Sequence, residues 1–269
     1  MKLGFIGTGN LASAILRGVV AAEEIPANEI MIFDINSDKI YQLKDELDVN
    51  TAASANEVAE KCEYVVVAVK PKDFEALAKS IGEDVKTNGS VVISTAAGTQ
   101  LEKIKSYFGF DVKAVRIMPN INAAVGESMT ALCASENVVC SEKEFAMSLC
   151  SYFGRVVELE EKYFSAFTAI AGSAPAFAYM FADALANAGI KYGLPAKTAQ
   201  DIASQMLFGS AKQLLESPLT VSELIRNVCS PGGTTIEGVC SLKETGFENS
   251  VITAVDKTVE KDRLMSASK

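Results

Sequence analysis

The fold of this chain is decided by its opening stretch, Lys2-Leu3-Gly4-Phe5-Ile6-Gly7-Thr8-Gly9-Asn10-Leu11-Ala12. Residues 2–6 form a short apolar run that predicts a buried strand, and residues 7–12 follow with the pattern Gly-x-Gly-x-x-Ala. In that pattern the first glycine allows a tight turn, the second lets the backbone approach a pyrophosphate, and the small third residue lets helix and strand pack closely. Alone, the motif also fits a plain glycine turn. Its place after the first strand and before a helix favours a dinucleotide-binding unit of the Rossmann type.

Short β-branched runs alternate with amphipathic stretches from residue 2 to about residue 155, which is the pattern of β-α-β units around a parallel sheet. Strands are predicted at residues 2–6, 30–33, 64–69, 90–94 and 114–118. Helices are predicted between them, including residues 11–22 and residues 37–47, the second with Ser37 as its N-cap.

After Glu158 the β-branched runs stop and the sequence becomes helical to its end. Helices are predicted at residues 163–192, 195–215, 221–228, 234–244 and 248–263. We therefore expect an α/β protein with an N-terminal Rossmann-like dinucleotide-binding domain at residues 1–158 and an all-helical C-terminal domain at residues 159–269.

The composition excludes several classes of function. The 269 residues carry a net charge of −9, which opposes nucleic-acid binding. The six cysteines form no Cys-x-x-Cys pair and histidine is absent, so no metal site and no Ser-His or Cys-His nucleophile is expected. The N-terminus lacks the pattern of a secretory signal, which together with the cysteines predicts a cytoplasmic protein.

One uncharged stretch, residues 164–182, resembles a membrane helix in length. It is rich in alanine, contains Gly172, Ser173 and Pro175, and is followed at once by Asp183, so its transfer energy into a bilayer is weak. We expect no membrane span here, but a helix buried in a core or between subunits.

Residues around the predicted cofactor site give two readings of its specificity. Asp34 follows the second strand, where an acidic residue accepts hydrogen bonds from the adenosine ribose and favours NADH. If Asp34 turns away, Asn36, Ser37 and Lys39 could bind a ribose phosphate, so NADPH stays open. The cofactor contacts predicted from the motif and the strand ends are Ile6, Gly7, Thr8, Gly9, Asn10, Leu11, Asp34, Asn36, Ser37, Val69, Lys70, Pro71, Thr95, Ala96 and Ala97. For Lys70-Pro71, a plain strand-ending turn is an equally good interpretation.

A second glycine-bearing turn lies near the end of the chain, in Asn227-Val228-Cys229-Ser230-Pro231-Gly232-Gly233-Thr234-Thr235-Ile236-Glu237-Gly238-Val239. A loop of this kind that opens a helix offers backbone amides and the positive end of a helix dipole to an anion, such as a carboxylate. The alternative is a helix-to-helix connection capped by Ser230 or Thr234.

The run Ser230-Pro231-Gly232-Gly233-Thr234-Thr235 resembles the signature of pyrroline-5-carboxylate reductases, and passages along essentially the whole chain resemble that family in the same order. These passages are Gly7-Thr8-Gly9-Asn10-Leu11-Ala12, Ala68-Val69-Lys70-Pro71, Ala96-Ala97-Gly98, Arg116-Ile117-Met118-Pro119-Asn120 and Ala171-Gly172-Ser173-Ala174-Pro175-Ala176-Phe177. Family members often have glycine and tyrosine at Ala174 and Phe177, a departure that affects no proposed contact.

The resemblance implies an NADPH- or NADH-dependent reductase that transfers hydride to the C=N bond of 1-pyrroline-5-carboxylate and makes L-proline, the last step of proline biosynthesis. It implies that Thr235 is catalytic and directs its hydroxyl to the ring nitrogen of the substrate. The implied substrate-binding residues are Glu161, Asn227, Ser230, Gly232, Gly233, Thr234 and Thr235. Asn56 would touch the adenosine end of the cofactor, while Ala97, Met118, Pro119 and Asn120 would lie on its nicotinamide side. It also implies a homodimer through the helical domain, with a decamer built from such dimers as the higher assembly.

The sequence argues against two other classes of protein. A β-hydroxyacid dehydrogenase needs a catalytic lysine near the start of the long interdomain helix, but residues 164–187 contain none, and Lys162 precedes the helix. A nucleotide-sensing protein without catalysis would have a degraded substrate loop, whereas residues 230–235 are intact.

Overall fold

The structure is a computed structural model that describes residues 1–267, and it divides the chain into two compact units. The first unit comprises residues 1–172 together with the end of the chain from Val259, and the second comprises residues 173–258. Our predicted domain boundary after residue 158 stays a prediction; within these two units, residues 159–172 group with the α/β sheet. The cause is local packing, because Phe164 and Phe167 lie in one apolar cluster with Met118, Ala131 and Cys133.

The first unit is built on an eight-stranded sheet of order β3-β2-β1-β4-β5-β6-β7-β8. Its strands are β1 (Leu3–Ile6), β2 (Ile30–Phe33), β3 (Asn50–Thr51), β4 (Tyr64–Val67), β5 (Val91–Ser94), β6 (Ala114–Met118), β7 (Ser128–Ala134) and β8 (Gly154–Glu158). All neighbouring strands are parallel except β6 and β7, which are antiparallel. The strand order reverses between β1 and β4. Doubly wound sheets bind their ligands in the crevice at the carboxyl ends of the two strands on either side of such a reversal.

Both faces of the sheet are covered, which explains why its strands are continuous apolar runs. Successive side chains alternate between the faces, so Phe5 and Ile32 belong to one buried cluster while Ile6 and Val65 belong to the other. The covering helices are α1 (Asn10–Ala21), α2 (Ser37–Leu47), α3 (Ala55–Lys61), α4 (Pro71–Asn88), α5 (Leu101–Phe108) and α6 (Cys140–Ser151).

The sequence predictions for this unit are largely confirmed, with two kinds of error. The predicted N-cap Ser37 is wrong: it is the first residue of α2, and Asn36 is the cap, because the Asn36 side chain accepts hydrogen bonds from the amides of Asp38 and Lys39. Strands β3, β7 and β8 were not predicted. In β7 the apolar pattern is broken by Ser128 and Thr130, which are buried and hydrogen-bonded to each other.

The long helix predicted at residues 163–192 is interrupted. It consists of α7 (Phe164–Phe167), a wider π-helical turn over Thr168–Ser173, and α8 (Ala174–Lys191). Pro175 lies in the first turn of α8, where its missing amide and its ring prevent a regular helix from continuing through the preceding turn. Within the described residues, the helical segment at residues 161–191 is long and apolar enough to cross a membrane by length and composition alone.

The second unit is entirely helical and has a small core. It contains α8 together with α9 (Ala196–Glu216), α10 (Val221–Val228), α11 (Thr234–Glu244) and the first part of α12 (Phe247–Ala267). Helices α8 and α9 pack closely through Ala186, Ala199 and Ala203. Large apolar side chains remain exposed over much of this unit: Tyr179, Met180, Ile202, Phe208, Leu215, Val228 and Ile252 are examples.

Candidate active site

The first glycine turn has the geometry that a bound pyrophosphate requires. Gly7 has a φ of +94°, and a Cβ at this position would lie 2.8 Å from the carbonyl oxygen of Ala68, so only glycine fits. A Cβ at Gly9 would meet nothing within 4 Å, which leaves open space above the turn. Gly9 is also the N-cap of α1, and no side chain caps that helix. The turn therefore presents backbone amides and the positive end of the α1 dipole to an anion.

Asp34 lies beside this turn and is bonded to it. Its Oδ2 accepts hydrogen bonds from the Thr8 amide at 2.6 Å and the Thr8 hydroxyl at 2.9 Å, and its Oδ1 accepts one from the Asn36 amide at 2.9 Å. Partial burial raises the pKa of this carboxyl, but the three hydrogen bonds and the positive charge of Lys39 lower the pKa by more, so it lies below its ordinary value. Asp34 is therefore ionised at neutral pH.

A cleft of about 330 Å³ opens next to the turn, between α1 and α2. It is lined in part by Thr8, Asn10, Ser13, Arg17 and Lys39. The Arg17 guanidinium is already engaged by the Glu46 carboxylate through two hydrogen bonds of 2.6 and 2.8 Å. Ser37, which we predicted as a cofactor contact, begins α2 and is exposed.

The ends of β4 and β5 lie on the same carboxyl edge as the glycine turn. Lys70 is the N-cap of α4 and Pro71 its first residue, so this pair both ends a strand connection and starts a helix. After β5, the Thr95 amide donates to the carbonyl of Val67 at 3.2 Å, which ties the two strand ends together. Ala96 is buried and its amide donates to the Ser94 hydroxyl at 3.2 Å. Small side chains there leave room for a flat ring.

A partly buried ion pair that we did not predict lies next to this edge of the sheet. Arg116, in the middle of β6, is 4% exposed and donates from Nη1 to Oε1 of Glu161 at 2.8 Å. The same Glu161 oxygen accepts from the amide of Leu101 at 2.9 Å, where α5 begins. The Arg116 guanidinium also lies 4.4 Å from the ring centroid of Phe164, and its Nε is buried without a hydrogen-bond partner. A lone arginine in an otherwise apolar strand was the signal in the sequence.

Several expected contact residues have structural partners in the first unit. Glu161, expected near the substrate, is held by Arg116 and Leu101. Asn120 donates from Nδ2 to the carbonyl of Ala171 at 2.9 Å and accepts from the Asn122 amide. Met118 is 8% exposed and packs in the apolar cluster that contains Phe164. The Nδ2 of Asn56 donates to the Ser80 carbonyl and to the Asp84 carboxylate on α4.

The second glycine turn, at Ser230–Gly233, is held by backbone geometry. Gly232 has a φ of +67°, and a Cβ at Gly233 would collide with the hydroxyl of Ser230. The Gly233 amide donates to the Ser230 carbonyl at 3.0 Å, and Gly233 is the N-cap of α11. No side chain caps α11, so the alternative in which Ser230 or Thr234 caps a plain connection is not what the structure has. Thr234 and Thr235 form the first turn of α11, beside open amides.

Asn227 and Thr235 line one groove within the second unit. It has a volume of about 950 Å³ and mostly apolar walls contributed by α8, α9, α10 and α11. Upstream of the turn, α10 is fixed by a capping box in which Thr220 and Glu223 bond each other's backbone amides. Among residues 1–267, no group of three or more potential ligand side chains could hold a metal ion.

A doubly wound sheet with an open Gly-x-Gly turn, followed by a helical unit with its own uncapped glycine turn, defines the class of two-domain proteins that bind a dinucleotide. Comparison with known proteins narrows this class. Residues 161–265 match a family described as pyrroline-5-carboxylate reductase dimerisation, and residues 2–98 match one described as NADP oxidoreductase, coenzyme F420-dependent.

Relatives that align along nearly the whole chain support the same family. The chain is 36% identical over 271 residues to pyrroline-5-carboxylate reductase of Escherichia coli (strain K12), covering 99% of each chain. A crystal structure of the Plasmodium falciparum pyrroline carboxylate reductase with NADP bound superimposes with a TM-score of 0.88 at 30% identity, over 99% of this chain and 98% of that one. The Streptococcus pyogenes 1-pyrroline-5-carboxylate reductase gives a TM-score of 0.85 at 35% identity, over 97% and 98%. The chain belongs to the pyrroline-5-carboxylate reductase family.

Proposed function

We propose that this chain reduces 1-pyrroline-5-carboxylate to L-proline with NADH or NADPH, the last step of proline biosynthesis. Family membership supports the activity and the use of a nicotinamide dinucleotide. The observation that carries the assignment to particular residues is the uncapped N-terminus of α11, which places Thr235 beside free amides at the Ser230–Gly233 turn.

The first unit fits the cofactor. Gly7 and Gly9, with the first amides of α1, would hold the pyrophosphate, since the space above Gly9 is open. Asp34 would lie at the adenosine ribose, with Asn56 assigned to the adenosine end. Val69, Lys70, Thr95, Ala96 and Ala97, together with Met118, Pro119 and Asn120, would border the nicotinamide half. When bound, the reduced cofactor supplies the hydride.

The second unit supplies the residues that hold the substrate. Gly232, Gly233 and Thr234 would bind the substrate carboxylate through backbone amides and the α11 dipole. Asn227 and Ser230 would complete the surroundings. Thr235 would orient the ring nitrogen through its hydroxyl or relay a proton from water. The substrate nitrogen is readily protonated in solution, so orientation suffices without a strong acid, which agrees with a chain that has no histidine.

Glu161 was expected to hold the substrate, and we propose a different contribution. Its Oε1 is shared by Arg116 and the Leu101 amide, so it fixes the start of α5 relative to β6. Through these bonds Glu161 supports the segment after β5 that would border the nicotinamide half.

We also propose a homodimer formed through the helical unit, with a decamer of such dimers as an extension. The match of residues 161–265 to the dimerisation family supports the dimer, and so do the exposed apolar side chains on α8 and α9. A partner copy would also cover the apolar surface of the helical segment at residues 161–191. All six cysteines are unpaired, which supports a reducing cytoplasmic location.

Loss of reduced-nicotinamide absorbance on adding 1-pyrroline-5-carboxylate tests the activity. Wild-type protein should turn over with at least one of NADH and NADPH, and Thr235→Ser should retain much of that turnover because it keeps the hydroxyl. Thr245→Ala removes a threonine hydroxyl at the other end of α11 and serves as a matched control. No turnover with either cofactor would refute the proposal.

A further inference from the structure

The position of the Asp34 side chain bears on the choice between NADH and NADPH. β1 and β2 are paired through Ile6 and Phe33, and the Gly7 amide donates to the Phe33 carbonyl at 2.8 Å. Asp34 follows directly after Phe33, so its carboxylate lies next to the turn assigned to the pyrophosphate. This is where the adenosine ribose of a dinucleotide lies in a Rossmann unit.

Thr8 holds that carboxylate in one orientation. Thr8 is 3% exposed, and both its amide and its hydroxyl donate to Oδ2 of Asp34. If the carboxylate turned away, two buried donors of Thr8 would lose their acceptor, and each unsatisfied buried group is costly. The hydrogen bonds from Thr8 therefore disfavour the alternative in which Asp34 moves aside for a ribose phosphate.

The held carboxylate suits a ribose with free hydroxyls. Oδ2 already accepts two hydrogen bonds, while Oδ1 accepts one from the Asn36 amide and keeps a lone pair for a further donor. A ribose hydroxyl can donate to that position, whereas a ribose 2′-phosphate would place a second negative group against it.

The nearby cationic side chains do not offset the repulsion between Asp34 and a ribose 2′-phosphate. Arg17 lines the adjacent cleft, but Glu46 occupies its guanidinium with two hydrogen bonds. Lys39 also lines the cleft, and its single charge is offset by that of Asp34. A phosphate would thus meet one lysine that already faces a fixed carboxylate.

We propose that the Thr8–Asp34 pair makes this chain select NADH over NADPH, with Asp34 as the specificity-determining residue and Thr8 as the positioning residue that holds it. The inference rests on the proposed use of a nicotinamide cofactor and adds the choice between the two. It separates this chain from its P. falciparum relative, whose structure has NADP bound.

Equilibrium titration of the purified full-length chain with NADH and with NADPH tests the proposal without turnover, by quenching or calorimetry. NADH should bind at least about tenfold more tightly, because the 2′-phosphate of NADPH would be repelled by the fixed Asp34 carboxylate. Asp34→Ser should reduce the NADH-to-NADPH affinity ratio about tenfold or more, chiefly by improving NADPH binding. Asp45→Asn removes an exposed carboxylate from α2, the helix that follows Asp34, and should leave the affinity ratio unchanged.

The positioning role of Thr8 has its own variants. Thr8→Val removes the hydroxyl donor while keeping the shape, and the ratio should fall by several-fold, whereas Thr8→Ser keeps the donor and should restore it. Circular dichroism melting verifies that each variant is folded. A ratio in Thr8→Val equal to that of wild type would overturn the positioning role.

The outcomes distinguish this inference from the proposed function. Equal affinities in wild type, or tighter binding of NADPH, would overturn the selectivity while leaving the reductase activity intact. Tighter binding of NADH without reduction of 1-pyrroline-5-carboxylate would overturn the activity and support the selectivity. Binding of neither cofactor would overturn both.

Discussion

Two glycine turns precede helices in this molecule, and they differ in what surrounds them. The turn at Gly7–Gly9 is set into the sheet: Gly7 packs against the Ala68 carbonyl, and Thr8 is buried and bonded to Asp34. The turn at Ser230–Gly233 is supported mainly by its own backbone, in a unit whose helices keep many apolar side chains exposed. The first turn is held by the sheet of its unit, whereas the second has little support beyond its own backbone, and we propose that the dimer supplies further contacts to its unit.

Alanine substitutions at the two positive-φ glycines should separate the turns most clearly. Gly7→Ala combines a left-handed backbone with a contact 2.8 Å from the Ala68 oxygen, so we expect a loss of about 4 kcal/mol in the free energy of unfolding. Gly232→Ala has no atom within 4 Å of its new Cβ and should cost only about 1 to 2 kcal/mol, from backbone strain alone. Urea denaturation of both variants measures the difference. Equal losses would contradict the view that only the first turn is packed.

Thr235→Ala sharpens the functional side of the comparison. Removing one positioned hydrogen bond typically lowers kcat by about 10² to 10³, and the first turn is untouched, so affinity for the reduced cofactor should stay within about twofold of wild type. Stopped-flow or steady-state kinetics and cofactor titration give the two numbers. Wild-type kcat in this variant would remove Thr235 from the mechanism.

Glu161→Ala tests whether Glu161 stabilises the first unit or contacts the substrate. The substitution leaves the buried Arg116 charge without its partner and the Leu101 amide without its acceptor, so we expect a loss of about 3 kcal/mol in unfolding free energy. Glu160→Ala, at the exposed neighbouring carboxylate, should cost less than about 1 kcal/mol. If Glu161→Ala instead raised KM for the substrate with unchanged stability, Glu161 would be a substrate contact as the family resemblance implied.

The same contrast explains what the sequence could and could not predict. The Gly7–Gly9 turn was predictable because strand, turn and helix are contiguous, and each of their residues has a local backbone reason to be there. Strand β7 was not, since Ser128 and Thr130 satisfy each other only inside the folded sheet. The Arg116–Glu161 pair joins positions far apart in the chain, so a local pattern can single out Arg116 in its apolar strand but cannot identify Glu161 as its partner.

Within the second turn, the sequence indicated the glycines but left open whether Ser230 or Thr234 capped the helix. The structure decides this through Gly233, which takes the N-cap position without a side-chain hydrogen bond. Which residue caps α11 depends on backbone angles and on the contact between Gly233 and Ser230, and neither can be predicted from the amino-acid sequence of the loop. What covers the exposed helices likewise depends on a second chain.

The smallest expected effect is a pH dependence that arises from Asp34. Its pKa in the folded protein lies below the ordinary 3.8, so its contribution to stability is present above that value and is lost as pH falls through the folded pKa. The difference in unfolding free energy between wild type and Asp34→Asn should therefore be constant from neutral pH to about pH 5 and shrink below about pH 4. Solvent screening of a partly exposed charge keeps it under about 1 kcal/mol. Thr8→Val removes one of the hydrogen bonds that lower this pKa, so the same comparison made in that background should give a smaller difference. A difference that grew on acidification would mean that the carboxylate is not held by donors in the folded state.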